Sequence, residues 1–343
     1  MMNKKMDRRK FIRTSTLTAG ALSVSLPGIT AKYHDAAKDI KIGMIGLDTS
    51  HSPAFAKTIN DPANLKMQGF KVAYAYPYGS SAIESSASRI PQYTTEIKTL
   101  GVQVIDNLQS MIAASDVVML MTNDGTLHLE QILPVLQAKK AVFVDKPVAA
   151  RLSDVLKIYD AVQKYNVPMF SSSPLRYLEG AQRVRYKDAV GKLIGADAYS
   201  PQKIEPSHTD LFWYGIHGVE ILYTMMGPGC EYVRRITEKE QDMVIGKWKD
   251  GRIGTYRGDV QTRQYYGGTA FGTTGVLPVG PFNGYQALVE VVIQFFRDGK
   301  SPVDANETIE LYTFMEAADV SKKQNGEWVS LKKVLEDTRA SMK

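Results

Sequence analysis

The sequence predicts an α/β protein: a parallel sheet covered by helices in the first half, then an α+β domain built on an open mixed sheet. Three observations predict it. Short, buried-looking apolar runs alternate with amphipathic helical stretches from residue 40 to about 171, and several of those runs end in polar turns. The second half adds strands such as 242–246 and 252–257 and two long packing helices near 283–298 and 306–323. With 343 residues, 44% of them hydrophobic, the chain can bury two cores, and no apolar run reaches bilayer-spanning length.

The first 31 residues are unlike the rest. Asp7-Arg8-Arg9-Lys10-Phe11-Ile12-Arg13 is a twin-arginine pattern, followed by a mildly apolar stretch to Pro27 and a small-residue exit at Ile29-Thr30-Ala31. Residues 1–31 therefore read as an export signal, and the mature chain is expected in the periplasm. The leader holds six basic residues against Asp7, a net +5 of the chain's +6, so the basic balance argues for no nucleic-acid partner. The single cysteine, Cys230, excludes an internal disulfide and a thiolate metal cluster. Twin-arginine export carries folded proteins, which suits a chain that takes up its cofactor before crossing.

The mature chain opens on the strand Ile40 to Leu47, which runs into Gly43 and Gly46. Asp48-Thr49-Ser50-His51 forms a turn, and a helix follows with Ser52 as its expected cap and Pro53 in its first turn. Strand, turn and helix make the opening of a dinucleotide-binding unit, where backbone N–H groups and the helix dipole meet a pyrophosphate. The fingerprint G-x-G-x-x-G is incomplete, and Asp48 places a carboxylate where phosphate charge is expected. The second strand, 69–76, ends at Tyr76-Pro77-Tyr78-Gly79-Ser80-Ser81 without the acid that would meet the ribose of NAD. Ser80 and Ser81 could serve a 2′-phosphate, as in NADP, or form an ordinary turn, so NAD or NADP stays open.

The next buried strand, 115–121, ends at Thr122-Asn123-Asp124-Gly125. An amphipathic helix from His128 to Ala138 leads to Ala141-Val142-Phe143-Val144-Asp145-Lys146-Pro147. The proline cannot continue the ladder, so Lys146 stands at the carboxyl end of a parallel strand, where open α/β sheets bind ligands. A lysine held there, partly desolvated, can polarise a substrate oxygen.

These residues resemble the glucose-fructose oxidoreductase / inositol dehydrogenase / MocA family. That family has a strand ending in T-P-N, a histidine opening a helix, and E-K-P about eighteen residues later. Here Thr122-Asn123, His128 and Asp145-Lys146-Pro147 match, without the proline and with aspartate for glutamate. Farther on, Arg176 resembles the family's arginine after the sixth strand. Trp213-Tyr214-Gly215-Ile216-His217-Gly218-Val219-Glu220 resembles D-x-G-x-H-x-x-D, with Trp213 in place of the first acid. Asp210 or Glu220 could stand in for that acid.

The resemblance implies a Rossmann-type dinucleotide-binding domain over 37–148 and a substrate and oligomerisation domain over 149–343. Lys146 and His217 are the expected catalytic residues. Gly43, Gly46, Asp48, Thr49, Ser50, His51, Tyr76, Ser80, Thr122, Asn123, His128, Asp145 and Lys146 are expected around NAD or NADP. Lys146, Arg176, Asp210, Trp213, Tyr214 and His217 are expected around a carbohydrate.

The implied reaction moves hydride between a sugar or glycoside carbon and a tightly held nicotinamide, with histidine taking the hydroxyl proton and lysine holding the oxygen. A variant of it uses transient oxidation to activate an elimination. The alternative is a non-catalytic sugar-binding protein on the same fold with a degenerate cofactor site. No metal is expected, since His208, Asp210, His217 and Glu220 match no ligand spacing. Tyr265-Tyr266-Gly267-Gly268 suits stacking on a sugar face or an oligomer contact, and a homo-oligomer is expected.

Overall fold

The computed structural model describes residues 39–239, 241–259 and 265–342, so the expected export leader lies outside the described residues. Of the N-terminal domain, the first half runs β1 (Ile40–Ile45), α1 (His51–Asn60), β2 (Phe70–Tyr76), α2 (Glu84–Ala87), α3 (Ile90–Thr99) and β3 (Gln103–Val104). The second half runs α4 (Leu108–Ala114), β4 (Val117–Leu120), α5 (His128–Gln137), β5 (Val142–Val144), α6 (Leu152–Tyr165) and β6 (Met169–Ser171). All pairings in this sheet are parallel, in the order β3-β2-β1-β4-β5-β6. Winding reverses between β1 and β4, which leaves a crevice outside their carboxyl ends. Because β6 belongs to this sheet, the domain extends to Ser171 rather than closing at 148.

Burial on both faces explains why these strands read as continuous apolar runs. On one face Ile42, Met44, Val72, Phe143 and Phe170 pack against α1 and α3. On the other, Ile45, Val118, Leu120 and Val144 pack against α4, α5 and α6. Local chemistry at α1 differs from expectation: Ser50 occupies the cap position, while the Ser52 hydroxyl donates to the Gly46 carbonyl at 2.9 Å.

The C-terminal domain begins α7 (Glu179–Tyr186), β7 (Leu193–Pro201), α8 (Asp210–Trp213), α9 (Ile216–Met226), β8 (Cys230–Glu238), β9 (Gln241–Trp248) and β10 (Ile253–Asp259). It ends β11 (Gly267–Gly272), β12 (Val276–Val279), α10 (Gln286–Asp298), α11 (Ala305–Lys323), β13 (Val329–Ser330) and α12 (Leu331–Ser341). The sheet order is β12-β11-β7-β10-β9-β8-β13, with β7 and β10 parallel and the rest antiparallel. This is the open mixed sheet that the sequence predicts. α9 is buried along its whole length and packs on β7 and β10.

α10 starts at Gln286, capped by neither Asn283 nor its side chain, and returns to the first domain. Its Val289, Val292, Phe295 and Phe296 join the core under β1, and Phe295 meets Phe170 at 4.8 Å between ring centroids. Burying these four large apolar side chains, at about 25 cal/mol per Å² of apolar surface, ties the second domain to the first. Among the described residues no helix is long and apolar enough to cross a membrane.

Candidate active-site cleft

A cleft of about 370 Å³ opens at the crevice between β1 and β4 and is roofed by the second domain. Thr49, Ser50 and His51 at the start of α1, Asn123 after β4 and Lys146 after β5 line one side. Trp213, Tyr214, His217, Tyr266, Phe282 and Tyr285 line the other, and Arg89 and Lys203 stand at it as further cations. No carboxylate is among the lining residues. A separate cavity of about 460 Å³, around Arg151, His208, Asp210, Asp319 and Lys323, shares no residue with this cleft.

Lys146 is 7% exposed. Its Nζ lies 5.5 Å from the Tyr214 ring centroid and 6.0 Å from that of Trp213, and it forms no ion pair among the described residues. Burial lowers its pKa, opposed by Asp145 and reinforced by Arg89. An ammonium so placed has donors to spare for a ligand oxygen.

His217 enters from α9. Its Nδ1 meets Ser173 Oγ at 2.7 Å, and its ring is edge-on to Tyr214 and Tyr266 at 5.7 and 5.6 Å. Burial, then the Lys146 charge and His51, hold its pKa well below the ordinary histidine value, so the imidazole is neutral. Neither stand-in acid orients it. Glu220 instead accepts from Arg176 Nε at 2.5 Å and from Ser172, while Asp210 pairs with Arg235 and Lys322 on the far side of α8. Arg176 itself is buried between Glu220 and Glu307, so it ties helices together and does not face the cleft. Its expected place at the substrate is corrected accordingly, as is that of Asp210.

Asp145 is also turned away from open solvent. Its Oδ2 lies 2.6 Å from His51 Nδ1, and its Oδ1 accepts the Lys146 backbone N–H at 2.8 Å. Burial alone would raise this carboxyl, yet the His51 ring and then Lys146 hold it below the usual carboxylate range.

Several loop residues sit differently from expectation. Gly43 faces α4, where a Cβ would lie 2.1 Å from Ser115 Oγ, so it serves packing and not phosphate. Gly46 does hold the turn, at φ +90°, against the Thr122 backbone 2.6 Å from where a Cβ would be. Thr122 is buried there and Tyr76 packs on Tyr78, both outside the cleft lining. Asp48 is fully buried and accepts the backbone N–H groups of Asn123 and Ser80 at 3.0 and 3.1 Å. Ser80 donates its hydroxyl to Asp124 at 2.7 Å, which removes it as a ligand for a 2′-phosphate. His128 is fully buried with its two ring nitrogens against the Thr122 and Val148 carbonyls, and burial lowers its pKa. It braces the loops behind the cleft and cannot reach a cofactor.

The arrangement fits dinucleotide phosphates on two counts. The carboxylate that the sequence sets in the loop is folded inward, and burial raises its pKa despite its two N–H donors. What faces the cleft at the N-terminus of α1 is Thr49 and Ser50, with Lys146 and Arg89 supplying positive charge. Sequence reasoning missed Ser173, Arg89, Lys203, Phe282 and Tyr285. Only Ser173 carried a signal, in the Ser171-Ser172-Ser173-Pro174 run that ends β6.

Parallel sheet, switch-point cleft and strand-end lysine define a dinucleotide-dependent oxidoreductase scaffold. Residues 40–172 match the oxidoreductase family with an NAD-binding Rossmann fold, the GFO/IDH/MocA family. That match gives the N-terminal domain the NAD-binding Rossmann fold of this family. The chain's fold is similar to scyllo-inositol dehydrogenase from Lactobacillus casei, solved with NAD(H) and scyllo-inositol, at TM-score 0.68 and 16% identity over 86% of this chain and 100% of that one. It is also similar to a probable dehydrogenase from Thermotoga maritima, at TM-score 0.68 and 18% identity over 86% and 100% of the two chains. GenD2 of gentamicin A biosynthesis, solved with NAD, gives TM-score 0.68 and 14% identity over 87% and 97%. A search of curated proteins returns no match. Among the described residues no group of three or more histidine, cysteine or acidic side chains is placed to hold a metal ion.

Proposed function

We propose that the protein is a periplasmic NAD-dependent oxidoreductase acting on a hydroxyl-bearing carbon of a sugar, a glycoside or a related ring polyol. The observation that carries this reading is a buried Lys146, without an ion pair among the described residues, sharing one aromatic-walled cleft with the imidazole of His217. When bound, the nicotinamide supplies the hydride acceptor. Lys146 holds the substrate oxygen and stabilises negative charge as it develops there. Rings of Tyr214, Trp213 and Tyr266 offer flat apolar surface to the C–H face of a saturated ring while their polar ends meet hydroxyls. Thr49, Ser50 and Arg89 would hold the dinucleotide phosphates. Inositol dehydrogenases solved with scyllo-inositol and myo-inositol share this fold, which supports a polyol substrate.

The experiment is purification without added cofactor, identification of nucleotide released on denaturation, and then NAD titration with a screen of sugars, glycosides and inositols for NADH formation. A protein with neither released nor titratable nucleotide refutes the redox reading and leaves a sugar-binding protein. Export rests on the twin-arginine leader, and changing Arg8 and Arg9 together to lysine should leave the protein in the cytoplasm. Exposed Tyr199, Ile236, Ile253 and Phe271 on the second sheet support a homo-oligomer, which sedimentation analysis tests.

A further inference from the structure

The carboxylate that a D-x-G-x-H pattern would set beside His217 is absent, because residue 213 is tryptophan and Ser173 takes the Nδ1 contact. A carboxylate–imidazole pair nevertheless stands at the cleft wall, His51 lining the cleft and Asp145 buried behind it, assembled from two other elements. His51 opens α1 and Asp145 follows β5, 94 residues later, with Nδ1 and Oδ2 2.6 Å apart. Their side chains are 9% and 3% exposed.

The pair is held from every side. The second oxygen of Asp145 is fixed by the Lys146 backbone N–H at 2.8 Å. The His51 ring stacks on Phe55 at 5.6 Å and meets Tyr285 edge-on at 4.7 Å, so it has little room to rotate. An ionised carboxylate only accepts, so a neutral His51 carries its proton on Nδ1 and leaves the Nε2 lone pair bare. Nε2 has no hydrogen-bond partner among the described residues, and His51 is part of the cleft wall beside Lys146. His217 differs in kind: its partner is a hydroxyl, which can either accept from Nδ1 or donate to it, so its tautomer is not dictated.

We propose that His51, positioned by Asp145, is the catalytic residue that takes the proton of the substrate hydroxyl whose oxygen Lys146 holds. The inference rests on the oxidoreductase reading and names its base. The hydroxyl O–H bond breaks, the proton passes to His51 Nε2, and the electron pair stays on oxygen to complete the carbonyl. The hydride from the same carbon is taken by oxidised nicotinamide, the family's cofactor. Asp145 supports the imidazolium until the proton leaves to solvent, and His217 positions a neighbouring hydroxyl.

The test uses the full chain. In ¹⁵N-histidine spectra near pH 8, His51, assigned by its loss in His51→Gln, should show a protonated Nδ1 and a bare Nε2. Asp145→Asn should lose that tautomer, because an amide can turn an N–H toward Nδ1. With NAD and the probes myo-inositol, scyllo-inositol and D-glucose, His51→Gln should lower kcat about 10²- to 10⁴-fold while KM and the NAD Kd move little. Added imidazole should restore part of the rate in His51→Gly, which keeps the test alive if the glutamine variant folds poorly. His217→Gln should raise KM more than it lowers kcat.

A wild-type kcat in His51→Gln, with the loss appearing in His217→Gln, overturns the proposal. If the wild type oxidises none of the probes and binds no NAD, the oxidoreductase reading has failed, and a bare Nδ1 on His51 separately overturns the dyad.

Discussion

Replacing Asp48 with asparagine tests how this loop has been rebuilt around a buried carboxylate. The two oxygens of Asp48 accept separate backbone donors, Asn123 N–H at 3.0 Å and Ser80 N–H at 3.1 Å, at a position with no solvent exposure. An amide supplies one acceptor oxygen, so one backbone N–H would face an NH₂ group. Losing a charge-assisted bond and orphaning a buried donor together cost roughly 3 kcal/mol. For about 300 ordered residues the unfolding entropy is near 0.6 kcal/mol per degree, which converts that cost into a Tm lower by about 5 °C. Burial holds the folded carboxyl above its ordinary value of 3.8. The wild type therefore gains stability as pH falls through that raised pKa toward 3.8, whereas the asparagine variant lacks this slope. Calorimetry gives the Tm and hydrogen exchange reads the Ser80 and Asn123 amides. A Tm within about 1 °C of wild type, with both amides equally protected, would refute the account of the loop.

Three further outcomes follow from the same geometry. Lys146→Met should lower turnover by about 10²-fold or more. It should leave Tm unchanged or higher, since burial depresses the folded pKa below 10.5 and the charged form costs stability at neutral pH; steady-state kinetics and calorimetry check both. Arg176→Met leaves Glu220 unpaired and Glu307 with Arg185 alone, so urea unfolding should show a loss of about 3–5 kcal/mol with NAD affinity intact. NAD binding should weaken as NaCl rises, because Arg89, Lys146 and Lys203 face the cleft with no lining carboxylate, and Arg89→Ala should flatten that dependence in calorimetric titrations.

The strands of the first domain were legible because a sheet buried on both faces leaves unbroken apolar runs, as in Val142-Phe143-Val144. Helices α2 and α3 were not, since Ser85, Ser86 and Ser88 depress helix propensity and only Ile97 of α3 is buried. β7, with Gly195 and Pro201, likewise owes its strand state to pairing with β10 and β11 and not to local preference. Lys146 was placed from its neighbours alone, because a proline after a parallel strand fixes where that strand stops. The contacts of charged side chains were the least legible. Arg176 and Asp210 looked like ligands for a substrate, yet each found a buried counter-ion on another element, Glu307 of α11 for Arg176 and Arg235 of β8 for Asp210. One-dimensional patterns report which residues face inward and carry no record of which charges meet there.

Three departures from the family pattern lie far apart in sequence: a turn ending in His51 where the glycine fingerprint is incomplete, aspartate for glutamate before Lys146, and tryptophan for the acid before His217. In space they form one rearrangement. His51 takes Asp145 as its partner, and Trp213 presents a ring to the Lys146 ammonium where the family pattern has a carboxylate. An acid at 213 beside an intact His51–Asp145 pair would bring a second negative charge to the same lysine and compete with the substrate oxygen for its N–H donors. A carboxylate buried behind the other wall keeps one acid–imidazole pair at the cleft while leaving Lys146 without a competing ion pair. Degeneracy read position by position is, on this geometry, a transfer of the same chemical part from one element to another.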